Sequence, residues 1–226
     1  TVMVPTPEAF QLRQWFADEL NAIAQATDDE GQTRLQQAVD SEGGRQLRTP
    51  RSVVRALDAL RFFWPPLQES GLDLADLVWL QLIKDGNPKL YRWIEGYCAT
   101  AAALSMGTVI VENAEKEQKL AELLEAVPEG YFNDQVYRYK FGDHLPGLMP
   151  SSVETEKFRL FEPISPHDQD RAIQRKCLAS PDHYRVYFAL AAPTHSVTER
   201  NFKAISRAAS AGADQTADIL LSFCQE

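Results

Sequence analysis

Most of what would name a chemistry outright is scarce or missing in this 226-residue sequence. Its three cysteines, Cys98, Cys177 and Cys224, are odd in number and far apart, with no CxxC and no histidine at ligand spacing. That pattern predicts neither a disulfide framework nor a metal site, and it fits a reducing, cytoplasmic compartment. No apolar run approaches the roughly 18 residues of a spanning helix and no signal peptide is visible, so no membrane segment is expected in this chain. There is no G-x-x-x-x-G-K-[ST] loop and no G-x-G-x-x-G after a strand, which leaves nothing to cradle a triphosphate unaided. The four histidines, His144, His167, His183 and His195, form no H-E-x-x-H pair, and no G-x-S-x-G turn occurs. Asp143-His144 and Asp182-His183 read instead as turn and cap residues, and no catalytic residue is expected within this chain alone. Basic charge is also short, 23 Lys and Arg against 32 Asp and Glu for a net −9. Such a balance argues against general nucleic-acid binding, including a winged helix in the second half. Internal repeats and low-complexity tracts are absent too. The opening Thr1-Val2-Met3 has no initiator methionine in front of it and reads as an excerpt from a longer protein.

What is present is helix. Hydrophobic residues make up 44% of the chain, ample for a core. The organising stretch is R-T-P-R-S-V-V-R-A-L-D-A-L-R-F-F-W, residues 48–64. Thr49 is a preferred N-cap and Pro50 suits the first helical position, so a helix start is marked twice. Val53, Val54, Leu57, Leu60 and Trp64 then recur at three- and four-residue spacing and are expected to face a core. Pro65-Pro66 is expected to end the helix. Arg51 and Arg55 share another face, with Arg48 just before the cap. Two guanidiniums at the positive end of a helix dipole are out of place unless something compensates. One reading is an anion such as a nucleotide phosphate, held by the forked donors and the helix N-terminus; the other is pairing with some of the chain's many acids.

The remaining chain reads as helices punctuated by caps. Thr6-Pro7-Glu8 opens one carrying Phe10, Trp15 or Phe16, Leu20 and Ile23 to about Thr27. Asp28-Asp29-Glu30-Gly31 breaks the chain, and a shorter helix with Leu35, Ala38 and Val39 is ended by Gly43-Gly44. Asp73 caps an almost wholly apolar helix over 74–84, and Asn87-Pro88 opens another with Leu90, Tyr91, Trp93, Ile94 and Tyr97. The aromatics Trp64, Trp79, Tyr91 and Trp93 read as core packing rather than a stacking platform for bases. Residues 107–111 suggest a short strand, 115–127 a charged helix with Leu120, Leu123 and Leu124 inward, and 131–141 either helix or strand. Further starts fall at Ser165-Pro166, Ser180-Pro181-Asp182 and Ser196 or Thr198, with a last helix over about 214–223. In H-Y-R-V-Y-F-A-L, residues 183–190, Tyr184, Tyr187 and Phe188 share one side and Arg185 points elsewhere, a candidate interface residue like Arg48. The fold class expected is mainly α with at most a short strand or hairpin. The division expected is a helical bundle over 5–97, a variable insertion and loop over 98–152, and a C-terminal helical module over 153–226.

Taken together, T-P-R-S-V-V-R-A-L-D-A-L (49–60), L-D-L-A-D-L-V-W-L-Q-L-I (72–83), P-K-L-Y-R-W-I (88–94) and H-Y-R-V-Y-F-A-L resemble the region C-terminal to the Walker motifs in KAP family P-loop NTPases, relatives of STAND and AAA+ ATPases. The resemblance covers residues 5–94 well and 183–204 moderately, and the middle matches little. It implies that the first half is the helical lid of a P-loop NTPase. Pro50-Arg51 is then similar to the second sensor motif, whose Arg reaches the terminal phosphate of ATP, with Arg55 a second candidate. ATP and Mg would belong to the parent protein and be bound mainly outside this chain, so the missing N-terminal P-loop core becomes the expected partner, beside a second copy of the protein. Because the Walker A Lys, the Walker B acid and the family's membrane-spanning insertions are all missing here, the chain is not expected to be an ATPase alone. In the parent protein the cytoplasmic face of the membrane is a second location. Many bacterial members resemble phage-exclusion or defence proteins, with the lid as a switch for an effector, although shared fold does not fix function. A stand-alone interaction module, with Arg48, Arg51 and Arg55 on an acidic protein face, is the alternative.

Overall fold

The computed structural model describes residues 7–24, 28–153, 156–190, 205–210 and 212. The fold is mainly α, and its sheet among those residues is one antiparallel pair, β1 (Met149–Pro150) with β2 (Phe158–Arg159). Its centre is helix α5 (Leu74–Gly86), which is buried continuously from Leu74 to Ile83. The cause is legible in the sequence, since a helix with apolar residues all round has no face to give to water. The Asp73 side chain accepts from the Asp76 N–H and starts it. Around α5 pack α2 (Asp29–Ala38), α4 (Pro50–Glu69) and α6 (Pro88–Ser105), while α1 (Ala9–Ile23) lies on α4. Leu12, Phe16 and Leu20 of α1 are its inward face; of the alternatives Trp15 and Phe16 it is Phe16 that turns inward, and Phe10, expected there, is exposed. Helix α1 stops at Ile23 rather than near Thr27, and Glu8 with Gln11 closes its N-terminus through a capping box.

Two breaks expected from Gly and Pro do not occur, whereas the one expected at Asp28 falls between α1 and α2. Pro65 and Pro66 lie inside α4, which runs on to Glu69. The carbonyls they leave without N–H donors belong to Arg61 and Phe62 on the exposed face, where water can serve them, and fully buried Leu67 anchors the extra turn. Gly43-Gly44 does not end α2 either. The helix widens into a π turn (Val39–Gly43) and re-tightens as α3 (Gly44–Gln46). Asp28 to Gly31 is a helix start, with the Asp28 carboxylate accepting from the Gly31 N–H at 2.7 Å. Gly86 is required by contact, because a Cβ there would meet Gln46 Oε1 at 1.9 Å.

Within α4 the buried stripe is Val53, Ala56, Leu57, Leu60, Trp64 and Leu67, and Val54 turns outward. Residues 107–111 form no strand. Left-handed Gly107 closes α6, with the Thr108 N–H on the Ala103 carbonyl, and Val109 and Ile110 are exposed with no strand to pair. Helix α7 (Asn113–Glu125) buries Leu123 and leaves Leu124 outward; it is tied to α6 by the Trp93 indole N–H on the Lys119 carbonyl at 2.9 Å. The 131–141 stretch resolves as helix α8 (Gln135–Gly142), and α9 (Pro166–Gln174) starts at its predicted Ser165 cap. Ser180-Pro181-Asp182 is a turn rather than a helix start: Ser180 Oγ accepts from the Asp182 N–H, and α10 (Tyr184–Ala189) begins after it. The expected caps at Thr6, Ser196 and Thr198, the helix over 214–223, and Cys224 lie outside the described residues. No helix among those residues is long and apolar enough to cross a membrane.

Candidate functional site

Among the described residues, two groups of charged side chains bear on a candidate site. The first is the start of α4. Thr49 accepts from the Ser52 N–H and Ser52 returns the bond to the Thr49 N–H, so this N-terminus is closed by its own residues. Of the arginines singled out there, Arg55 pairs with Asp85 of α5 at 3.2 Å and Arg48 donates to the Arg45 carbonyl. Arg51 is exposed and has no hydrogen bond or ion pair among the described residues. The fourth candidate, Arg185, is exposed on α10 and donates to its neighbour's Tyr184 hydroxyl at 2.9 Å. Arg185 is therefore not brought together with the arginines of α4 by any contact.

The second place was not visible as a constellation in the sequence. Asp76, the one carboxylate inside the apolar run of α5, is fully buried. Its Oδ1 accepts from Arg34 Nη2 of α2 and faces His144 Nδ1, each at 2.7 Å, and its Oδ2 accepts from the Leu178 N–H at 2.7 Å. One carboxylate thus joins α2, α5, the turn after α8 and the turn after α9. The His144 ring stacks on Trp79 with centroids 4.5 Å apart. His144 is thus the turn residue its sequence context suggested and, in addition, a buried partner of Asp76. Beside it, Asp73 Oδ2 lies 3.4 Å from Arg175 and 3.7 Å from Arg34. Arg175 also takes Glu30 at 2.8 Å, and Arg171 pairs with Glu30. The acidic cluster at 28–30 is accordingly engaged with α9 and the residue that caps its end. Tyr187 locks α10 onto the same point, accepting from the Asp73 N–H at 2.9 Å and donating to the Lys176 carbonyl at 2.7 Å.

The electrostatics follow from this wiring. Burial pushes the Asp76 carboxyl up, but Arg34, His144 and the Leu178 N–H outweigh it, and the net shift is downward. Burial and the neighbouring Asp76 push Asp73 the other way, above the ordinary carboxylate range. Burial alone would lower Arg34, yet Asp76 and Asp73 hold it firmly charged. Cys177, whose Sγ lies 3.2 Å from Arg34 Nη1, is pushed up to about 12 by burial and so is a protonated thiol near neutrality, not a nucleophile. Arg34, Asp76 and His144 also border a cavity of about 450 Å³. No cluster of three or more His, Cys, Asp or Glu suited to a metal occurs among the described residues.

A signal for this centre was present in Asp76, since a lone acid in an otherwise apolar helix needs buried partners. Nothing local pointed to Arg34 or His144, which stand 42 and 68 residues away along the chain.

No protein-family model and no solved structure matches the chain. Over 225 residues it is 30% identical to the phage T7 exclusion protein of Escherichia coli K12, an alignment that takes in 97% of the chain. The chain spans 30% of that relative's length, and along almost all of its own sequence it is similar to part of a phage-exclusion protein.

Proposed function

We propose that this chain is a helical regulatory portion of a bacterial phage-exclusion protein, built like the lid of a KAP-type P-loop ATPase. The observation that carries the reading is the alignment to the T7 exclusion protein along nearly the whole chain. ATP and Mg would be held mainly by residues outside this chain, and these helices would report the nucleotide's state. Arg51 suits the sensing role because its guanidinium is exposed and uncommitted among the described residues, on a helix start already capped by Thr49 and Ser52. A free guanidinium there can reach across to an anion on another body and stabilise charge on a transferring phosphoryl group. Arg55, held by Asp85, is the weaker sensor. Exposed Arg48 and Arg185 are available to a partner face, either the nucleotide-binding core or a second copy.

The test is calorimetric titration of ATP into the longer protein, with and without Arg51→Ala, beside this chain alone. The reading expects this chain alone to be silent, the longer protein to bind, and Arg51→Ala to blunt hydrolysis or discrimination between ATP and ADP. An Arg51→Ala protein unchanged in both would turn the arginines of α4 toward an acidic protein partner instead.

A further inference from the structure

The cavity bordered by Arg34, Asp76 and His144 holds two charged groups that the fold leaves over. Four carboxylates and four Lys or Arg side chains line it. Six of these eight are engaged: Glu30 with Arg171 and Arg175, Asp76 with Arg34, and Asp168 with the Ser165 hydroxyl. The two that remain are Lys140, in the last turn of α8, and Asp143, its C-cap. Neither side chain has a hydrogen bond or ion pair among the described residues, so they do not pair with each other either.

Their spacing puts opposite charges side by side. Residues three apart on a helix hold their Cβ atoms about 5–6 Å from each other, and Asp143 keeps helical backbone angles, φ −61° and ψ −21°. Asp143 is exposed and stands toward the mouth of the cavity, yet its surroundings still push its carboxyl above the ordinary range by desolvation. Arg34, whose charge favours the ionised form, is already committed to Asp76. A cation from outside would find this carboxylate unclaimed.

The choice of ligand follows from having both charges in one place. A lone anion would gain Lys140 and be opposed by Asp143, a lone cation the reverse, and an uncharged molecule would leave both unmatched. A molecule carrying both signs a bond or two apart matches both. Ala101, Leu145 and Leu178 are buried and, with Ala172 of α9, give the cavity an apolar wall. Its volume, about 450 Å³, lies within the range of small-molecule sites.

We propose that this cavity binds a small zwitterion, an α-amino acid with an apolar side chain, whose carboxylate meets Lys140, whose ammonium meets Asp143 and whose side chain lies on the wall from α6, α9 and the turns at 145 and 178. The site is separate from the start of α4 and does not depend on the nucleotide reading.

The experiment is an assigned ¹⁵N–¹H amide spectrum of the whole 226-residue chain, titrated with three probes. These are L-leucine, 4-methylpentanoate, which lacks its ammonium, and 3-methylbutylamine, which lacks its carboxylate. Leucine is expected to shift the amides at 140–147 and 177–181 saturably. Each single-charge analogue should bind roughly tenfold more weakly, the effect of one lost charge-assisted contact. Lys140→Gln should bring leucine down to the affinity of 3-methylbutylamine, and Asp143→Asn to that of 4-methylpentanoate. Both variants should unfold like the wild type, since neither side chain ties elements together. No saturable shift by leucine would overturn the proposal, as would analogues that bind as tightly as leucine or variants that keep its full affinity.

Discussion

The two sets of charged residues in this molecule are opposites. Arg48, Arg51 and Arg55 are neighbours in sequence, sit on one helix start, and end up exposed with at most one tertiary partner between them. Arg34, Asp73, Asp76, His144 and Arg175 are scattered over 142 residues, yet they form one buried or half-buried network at the centre of the fold. Charges that cluster along a chain can stay solvated at little cost, whereas a charge that folding buries must be met by partners from wherever the fold can bring them. The scattered set therefore holds elements together, and the clustered set is free to act on something else.

That contrast sets the order of the expected effects. Asp76→Ala should be the most damaging change, because it strands Arg34, His144 and the Leu178 N–H together; a loss of about 3–5 kcal/mol is expected in denaturant unfolding. Tyr187→Phe leaves the buried Asp73 N–H and the Lys176 carbonyl without their partner and should cost about 1–3 kcal/mol, with faster amide exchange in α10. Arg55→Ala removes an exposed pair with Asp85 and should cost less than about 1 kcal/mol in the same measurement. A similar loss from Asp76→Ala and Arg55→Ala would erase the distinction between the two sets.

Asp73→Asn sharpens the comparison within the buried set. Asn caps α5 as well as Asp does, so what changes is charge. Because the folded pKa of Asp73 is raised, ionising it subtracts stability as pH climbs from its unfolded value, near the ordinary 3.8, toward the folded one. Asp73→Asn should thus gain on the wild type as pH rises through that window. Asp76 has the opposite sign: its folded pKa is lowered, so its contribution is whole above 3.8 and is lost as pH falls through the folded value. Unfolding midpoints followed across about pH 2 to 6 check both signs, and Asp73→Asn losing ground over that climb would contradict the assignment.

How far the sequence spoke depended on the range of the cause. Local causes were readable: the caps at Thr49, Asp73, Asn87 and Ser165 each start a helix, and the apolar run of α5 is the buried centre. Pro65-Pro66 and Gly43-Gly44 misled because a breaker acts only if its freed backbone groups go unserved or the turn cannot widen. Here the freed carbonyls of Arg61 and Phe62 lie on the exposed face, and a π turn absorbs the two glycines. Residues 107–111 have strand-like composition but pair with no strand among the described residues. The network at Asp76 was out of reach because Arg34 and His144 carry no local mark of their long-range role. At the start of α4, by contrast, the cap at Thr49 is local and readable, whereas which arginine takes an acid, Arg55 with Asp85, depends on a contact 30 residues away.

The most direct test of the functional account is phage plating on cells making the longer protein, wild type or Arg51→Ala, with the thermal unfolding of this chain followed in parallel. On the proposed phage-exclusion role, the account predicts that the wild type suppresses plaques and that Arg51→Ala restores them while leaving unfolding unchanged. Full exclusion by a stable Arg51→Ala protein would contradict it.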